Sequence, residues 1–292
     1  MVSINLAVGP SCFVRCRGCY NYFGNTAKSG QLVTCDELLD FMPEAMGVGV
    51  TQATLSGGDP LTHPEITEII RGIAELGLRI KVDTVGTALL GDAPIKFFGK
   101  GIAEKVDICA LTPYVHTLGL PIDGSTEESR NNFRVGRAEL VSEVLQTVQA
   151  AKREGLRVSI NTVAHRRNIG ELGNIMTLVA SSGADEWQIF EFQPTGPLGS
   201  RSAHVLELEP GEFDNAVSMM AKCSNESSGL RIVCKDRSAR KDAYFMVDDA
   251  GVAWTPSAAG DTRTVIGHIT RNRIEVLARL YEHVQARTID VS

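Results

Sequence analysis

The chain has 292 residues, 43% of them hydrophobic and 22% charged, a globular composition that excludes a disordered or fibrous protein and leaves room for one large or two small domains. Its 29 lysines and arginines stand against 35 aspartates and glutamates, and the net charge of −6 argues against non-specific nucleic-acid binding. No apolar run reaches spanning length and the N-terminus lacks a basic n-region, so a cytoplasmic protein with no membrane partner is expected.

Strand-like and helix-like segments alternate along the chain. Ile4–Val8 reads as a strand running into a cysteine-rich loop. Asp36–Met46 has helical spacing with Thr34 as N-cap. Gln52–Ser56 is a strand, and Pro64–Leu76 a helix with Ile66, Ile69, Ile70 and Ile73 inward and Gly77 at its end. Arg79–Thr84 is the next strand. Ala93–Val115 reads as helix interrupted near Gly99 and Gly101, followed by the strand Thr117–Ile122. Arg137–Glu154 is the clearest helix, then strand Arg157–Val163, helix Asn168–Ser182 and strand Glu186–Phe192. Six strand–helix units with short connections imply parallel strands joined by right-handed crossovers. Six are too few for a closed eight-fold barrel, so the expected fold is α/β, a partial (β/α)6 TIM-like barrel over residues 1–195. Residues 196–292 are expected to form a small α+β extension covering the barrel mouth. Within it Thr195–Ala203 reads as a Gly/Pro/Ser-rich loop, Pro210–Lys222 and Asn272–Arg287 as helices, and Leu230–Cys234, Ala243–Val247 and Gly251–Trp254 as short strands.

Three of the seven cysteines, Cys12, Cys16 and Cys19, fall in one short loop, Cys-x3-Cys-x2-Cys. Soft thiolate ligands at that spacing suit three irons of a [4Fe–4S] cube, leaving the fourth iron free. The competing zinc knuckle needs a fourth ligand close by, and Cys35 and His63 lie far along the chain. No Ser-His-Asp order and no phosphate-cradling glycine motif accompanies them.

The cysteine loop after the first strand, with Ser56-Gly57-Gly58-Asp59-Pro60 after the second, resembles the radical S-adenosylmethionine (SAM) enzymes. The resemblance implies a [4Fe–4S] cluster on Cys12, Cys16 and Cys19, whose open iron is chelated by SAM. It implies reductive cleavage of SAM to a 5′-deoxyadenosyl radical, and a reducing partner such as flavodoxin or ferredoxin. On the same resemblance Gly57 and Gly58 admit the methionyl group, while Asp59 and Pro60 set a polar group against its ammonium. The family more often has Glu where Asp59 stands, and an aromatic residue where Gly18 stands; Gly-Cys-Tyr-Asn is similar to the loop of anaerobic ribonucleotide reductase activases, and Tyr20 is the candidate flanking the adenine.

The middle of the chain is similar to the branch holding the molybdenum-cofactor cyclase, the peptide-modifying enzymes and viperin. Leu120–Thr126, containing Asp123, resembles its fourth-strand segment; Arg134-Val135-Gly136 and Asn161-Thr162-Val163 with Arg166 and Arg167 fit its fifth-strand region. Arginine there suits the SAM carboxylate, and Gln193 at the sixth strand end is placed at the adenine edge. The tail resembles that of the same branch but lacks the cysteines of auxiliary clusters, so one cluster is expected. Cys234, and more weakly Cys223, are candidate hydrogen donors to a substrate radical; Cys109 is a third, and all three compete with a role as small buried hydrophobes.

The preferred reading is a hydrogen-abstracting enzyme that epimerises or changes the redox state of a small polar, sugar-like or other secondary-metabolite substrate. Viperin-like nucleotide modification, peptide modification and glycyl-radical activation stand as alternatives. An iron–sulfur electron-transfer or sensor module is the non-enzyme alternative.

Overall fold

Ten strands form one sheet in the computed structural model, which describes residues 2–23, 32–96, 101–223, 229–240, 243–257 and 262–289. In chain order they are β1 (Ser3–Gly9), β2 (Gln52–Gly57), β3 (Arg79–Asp83), β4 (Thr117–Pro121), β5 (Arg157–Ala164), β6 (Glu186–Glu191), β7 (Arg231–Lys235), β8 (Met246–Asp248), β9 (Val252–Pro256) and β10 (Arg263–His268). The spatial order is β7-β6-β5-β4-β3-β2-β1-β8-β9-β10. Every pairing from β7 to β8 is parallel, and only β8–β9 and β9–β10 are antiparallel. The six predicted strands are all present, and residues beyond 195 extend the same sheet at both edges. The sheet curls, since Ser3 of β1, Asn161 of β5 and Trp254 of β9 line one cavity.

The helices follow from local signals. The first, α1 (Cys35–Gly47), starts at a full capping box in which Thr34 and Glu37 satisfy each other's backbone amides. Next, α2 (Ile66–Glu75) buries Ile66, Ile69, Ile70 and Ile73 at helical spacing, each contributing about 1.5–3 kcal/mol of transfer free energy. It ends before Gly77, whose φ of 93° only glycine adopts without strain. The next two, α3 (Leu140–Arg153) and α4 (Leu172–Ser182), cross over between β4, β5 and β6.

Two predicted elements are corrected. The stretch read as loop, Thr195–Ala203, lies almost wholly in a helix, α5 (Gly196–Leu206). Pro197 opens it where no amide partner is needed, and Gly199 lets it pack on residue 194, because a Cβ there would sit 2.8 Å from the Pro194 carbonyl carbon. The stretch read as interrupted helix, Ala93–Val115, instead pairs Ala93–Pro94 with Ile102–Ala103 and is helical only over Ile108–Leu111. Gly99 lies outside the described residues. Two further helices, α6 (Glu212–Cys223) and α7 (Arg273–Ile289), complete the chain. Among the described residues no helix is long and apolar enough to cross a membrane.

Candidate active site

Strand alternation divides the sheet into two chemically different faces. Ile4, Leu6, Ala53, Leu55, Ile80, Val82, Val158, Ile160, Trp187 and Ile189 point outward into the main core. Their neighbours Asn5, Thr54, Lys81, Asp83, Asn161 and Gln188 point inward and line a cavity of about 1090 Å³. An ordinary eight-stranded barrel fills this space with branched apolar side chains. Here it is polar along its length, a pattern visible as strict alternation in Gln52-Ala53-Thr54-Leu55-Ser56 and Arg79-Ile80-Lys81-Val82-Asp83.

At the carboxyl ends of the strands the cavity is lined by Cys12, Cys16 and Cys19. Cys12 and Cys16 are buried, and burial pushes both thiols above their usual range. For Cys12 the neighbouring Asp59 and Cys16 push the same way, whereas Arg134 opposes the shift at Cys16. Such thiols ionise when a cation compensates the charge, and sulfur suits a soft metal. Among the described residues no three His, Cys, Asp or Glu side chains converge on a single ion. Three thiols that each take a separate iron corner need no such convergence, and their placement on one cavity wall fits a cluster.

The glycine segment is locked to the same loop. Gly58 N donates to Gly9 O (2.8 Å) and Asp59 N to Ser11 O (2.6 Å). A Cβ on Gly57 would lie 2.4 Å from Gly9 N, and one on Gly58 2.3 Å from Ser11 O. Gly57 and Gly58 both face the cavity, so backbone alone borders it there. Tyr20 and Gln193 line it as well, whereas Pro60 is buried at the start of the turn Pro60–Thr62, away from it.

Several expected roles move to other residues. The Asp59 carboxylate is fully buried and does not line the cavity. It accepts from Leu61 N (3.0 Å), Val85 N (2.7 Å) and Thr84 Oγ1 (2.8 Å), and so ties the exit of β2 to that of β3. Arg166 pairs with Glu209 (2.6 Å) and Arg167 is exposed; neither reaches the cavity. Beside the cysteines it is Arg134 that lines the cavity, and its Nη1 donates to Cys16 Sγ at 3.2 Å. The antiparallel pair Cys16–Arg134 aligns it. Asp123 is buried behind it, bonded to Arg134 Nε and to Val163 N (2.8 Å), so it orients the arginine instead of meeting a ligand. Cys234 pairs in register with Ile189 and so shares its outward face; it is exposed and has no access to the cavity. Cys109 is also exposed, and the side chain of Cys223, at the end of α6, lies outside the described part.

Lys81, Asp83 and Gly119, which belong to no motif, join the expected Asn161 in lining the cavity. Asn161 Nδ2 donates to Asp83 Oδ1 (2.9 Å), and Lys81 Nζ meets the same oxygen at 3.0 Å. The contact spans β4, and only Gly119 allows it: a Cβ there would fall 1.8 Å from Asp83 Oδ1. Gly18 is small for a similar reason, since its Cβ would sit 2.4 Å from Phe192 Cε2. Phe133 lines the cavity there, and the buried Phe192 packs edge to face against it at 6.4 Å.

Comparison with known proteins accords with this arrangement. The chain is 28% identical to the AdoMet-dependent heme synthase of Methanosarcina barkeri over 224 residues, 76% of this chain and 59% of that one. It is 28% identical to the PqqA peptide cyclase of Streptomyces rochei, over 63% of this chain and 46% of the cyclase. With the S-adenosylmethionine-dependent nucleotide dehydratase of Lacinutrix mariniflava it shares 23% identity over 85% of its own length and 49% of the dehydratase. The chain thus spans about half to three-fifths of these relatives. The fold matches Streptococcus suis SuiB bound to its precursor peptide SuiA (TM-score 0.73, 11% identity, 96% of this chain and 64% of SuiB). It also matches anSMEcpe with bound AdoMet and a peptide (TM-score 0.65, 15% identity, 94% and 79%). The radical SAM superfamily profile matches residues 6–179, and the superfamily uses a [4Fe–4S] cluster and AdoMet. The chain belongs to the radical SAM superfamily.

Proposed function

We propose that this protein is an enzyme that uses S-adenosylmethionine to abstract a hydrogen atom from a polar second substrate held inside the barrel. One observation carries the reading: the three cysteines and the Gly57–Gly58 backbone open onto the same cavity as the polar interior residues Lys81, Asp83, Asn161 and Gln188. Cys12, Cys16 and Cys19 would hold the cluster, which when bound supplies the electron that cleaves SAM to methionine and a 5′-deoxyadenosyl radical. Arg134 keeps a positive charge beside Cys16 and Asp123 fixes its direction. The glycine backbone of β2's exit gives the methionyl group room, and Phe133 with Gln193 borders the same end. The interior carboxylate and amides orient the substrate, and enclosure by the barrel keeps water from the reacting carbon. Epimerisation or a change of redox state is the reaction type we favour, because the chamber's polar lining of Lys81, Asp83, Asn161 and Gln188 suits a small polar substrate held beside the SAM site.

A second reading is nucleotide modification. It is favoured by the dehydratase, whose similarity extends over 85% of this chain. The test common to both is anaerobic reconstitution with iron and sulfide, reduction with dithionite, and chromatographic detection of 5′-deoxyadenosine from SAM. The reading predicts product from the wild type and none from Cys16→Ala. A reconstituted protein that leaves SAM intact refutes it, and stimulation by nucleoside triphosphates alone favours the second reading.

A further inference from the structure

We infer that the second substrate carries an anionic group, a carboxylate or a phosphate, which docks among Lys235, Arg240 and Arg287. The inference rests on the reading of the cavity as the substrate chamber. Five cations besides Arg134 line that chamber: Lys81, Lys235, Arg237, Arg240 and Arg287. Two have carboxylate partners, Lys81 with Asp83 (3.0 Å) and Arg237 with Glu191 (3.2 Å) and Glu207 (2.6 Å). The other three form no ion pair with a carboxylate among the described residues. Lys235 Nζ donates to the neutral amide of Gln188 (2.9 Å) and lies 5.0 Å from the centre of the Phe190 ring. Arg240 donates to the backbone carbonyl of Glu191.

Donors are also left over. Among the described residues Arg237 Nη2, Arg240 Nε, Arg287 Nη2 and Trp254 Nε1 are buried without a hydrogen-bond partner, and all four residues line the cavity. Buried polar groups are ordinarily satisfied, so four surplus donors in one chamber mark where acceptors belong. The groups form one neighbourhood: Lys235 is within electrostatic reach of Arg240, and Tyr244 within reach of both Arg240 and Arg287. Burial lowers the proton affinity of Lys235 and Arg240, a cost that a bound anion offsets. Their origin is also telling. Arg237, Arg240 and Tyr244 lie in the single connection from β7 to β8, and Arg287 projects from α7, so chain outside the matched residues 6–179 builds this wall. A planar guanidinium fork recognises two oxygens of one anion, which a neutral sugar lacks.

The test is equilibrium dialysis of the anaerobically reconstituted full chain against radiolabelled orthophosphate and, separately, succinate, with and without saturating SAM. The wild type is expected to retain one of the two at millimolar concentration, which tells phosphate from carboxylate, and SAM is expected to leave that retention in place. Arg240→Gln and Arg287→Gln should each weaken it about tenfold, the effect of losing one charge-assisted hydrogen bond. Arg279→Gln, which alters a surface ion pair with Glu282, should match the wild type. Wild-type protein that retains neither anion overturns the inference, even where a variant fails to fold. So does displacement by SAM, because the anion wall would then serve the SAM carboxylate. Protein that cleaves SAM but binds no anion refutes this inference alone; protein that binds the anion but cleaves no SAM refutes the proposed function alone.

Discussion

Gly119→Ala probes the interior network most sharply. Gly119 needs no left-handed backbone, so alanine meets no conformational penalty; what it meets is Asp83. The new Cβ would lie 1.8 Å from Asp83 Oδ1 and 3.0 Å from Asn161 Nδ2. Asp83 must swing away, and it then loses the hydrogen bond from Asn161 and the ion pair with Lys81. The Asp83 side chain is 30% exposed, so these two contacts together are worth about 1–2 kcal/mol rather than the value for a dry pair. Crowding between β3 and β5 adds about 1–2 kcal/mol. The expected loss is therefore about 2–4 kcal/mol in urea unfolding followed by circular dichroism. In an Asp83→Ala background the obstacle is gone, and the same substitution should cost less than about 1 kcal/mol. Equal costs in the two backgrounds would refute the claim that Gly119 exists to let Asp83 and Asn161 meet.

Other expectations follow from the same contacts. Burial holds the Asp59 carboxyl up at about 6, above its ordinary 3.8. Between those values the native state binds more protons than the unfolded chain, so this group's contribution to stability falls as pH rises from about 4 to about 6, by about 3 kcal/mol in all. The unfolding free energy of wild type minus that of Asp59→Asn should fall by that amount across the window, and a flat or rising difference contradicts it. His165 works in the opposite direction: burial lowers its pKa to about 4, so its contribution is present above about 6.5 and is lost as pH falls towards 4. The wild type minus His165→Gln difference should shrink on acidification, and no change would count against it. Gly18→Ala should cost about 1–3 kcal/mol by pressing on Phe192, and Phe192→Leu should relieve most of it in a thermal melt. Arg134→Gln leaves Asp123 buried without its ion pair and should cost about 3–5 kcal/mol, with faster loss of iron on gel filtration; a neutral outcome would remove Arg134 from the site.

Much of the scaffold was legible because strands and helices have different periods. The isoleucines of α2 and the capping box at Thr34 announce their elements locally. The cysteine spacing and the glycine turn were legible because both chemistries need specific residue types. What failed was non-local. Arg134 and Arg166 look alike in the chain, and only the pairing of Cys16 with Arg134 and the capture of Arg166 by Glu209 separate them. Asp59 reads as a ligand-facing carboxylate until Thr84 and Val85, brought alongside by the parallel sheet, occupy it. Cys234 and Lys235 differ only in strand parity, and the register with Ile189 and Phe190 decides which of them faces the chamber. The helix at Gly196–Leu206 was missed because its glycines and Pro197 suit a loop equally well until residue 194 packs against Gly199. The polar lumen was written in the alternation of β2 and β3 all along, but alternation alone does not say which face is hollow.

The most direct measurement is electron paramagnetic resonance of the anaerobically reconstituted, dithionite-reduced protein, with metal analysis, before and after adding SAM. Three cysteine ligands and a backbone cradle beside them predict about four irons per chain and a reduced-cluster signal that shifts when SAM binds. Zinc in place of iron, or an iron–sulfur signal indifferent to SAM, would contradict the account.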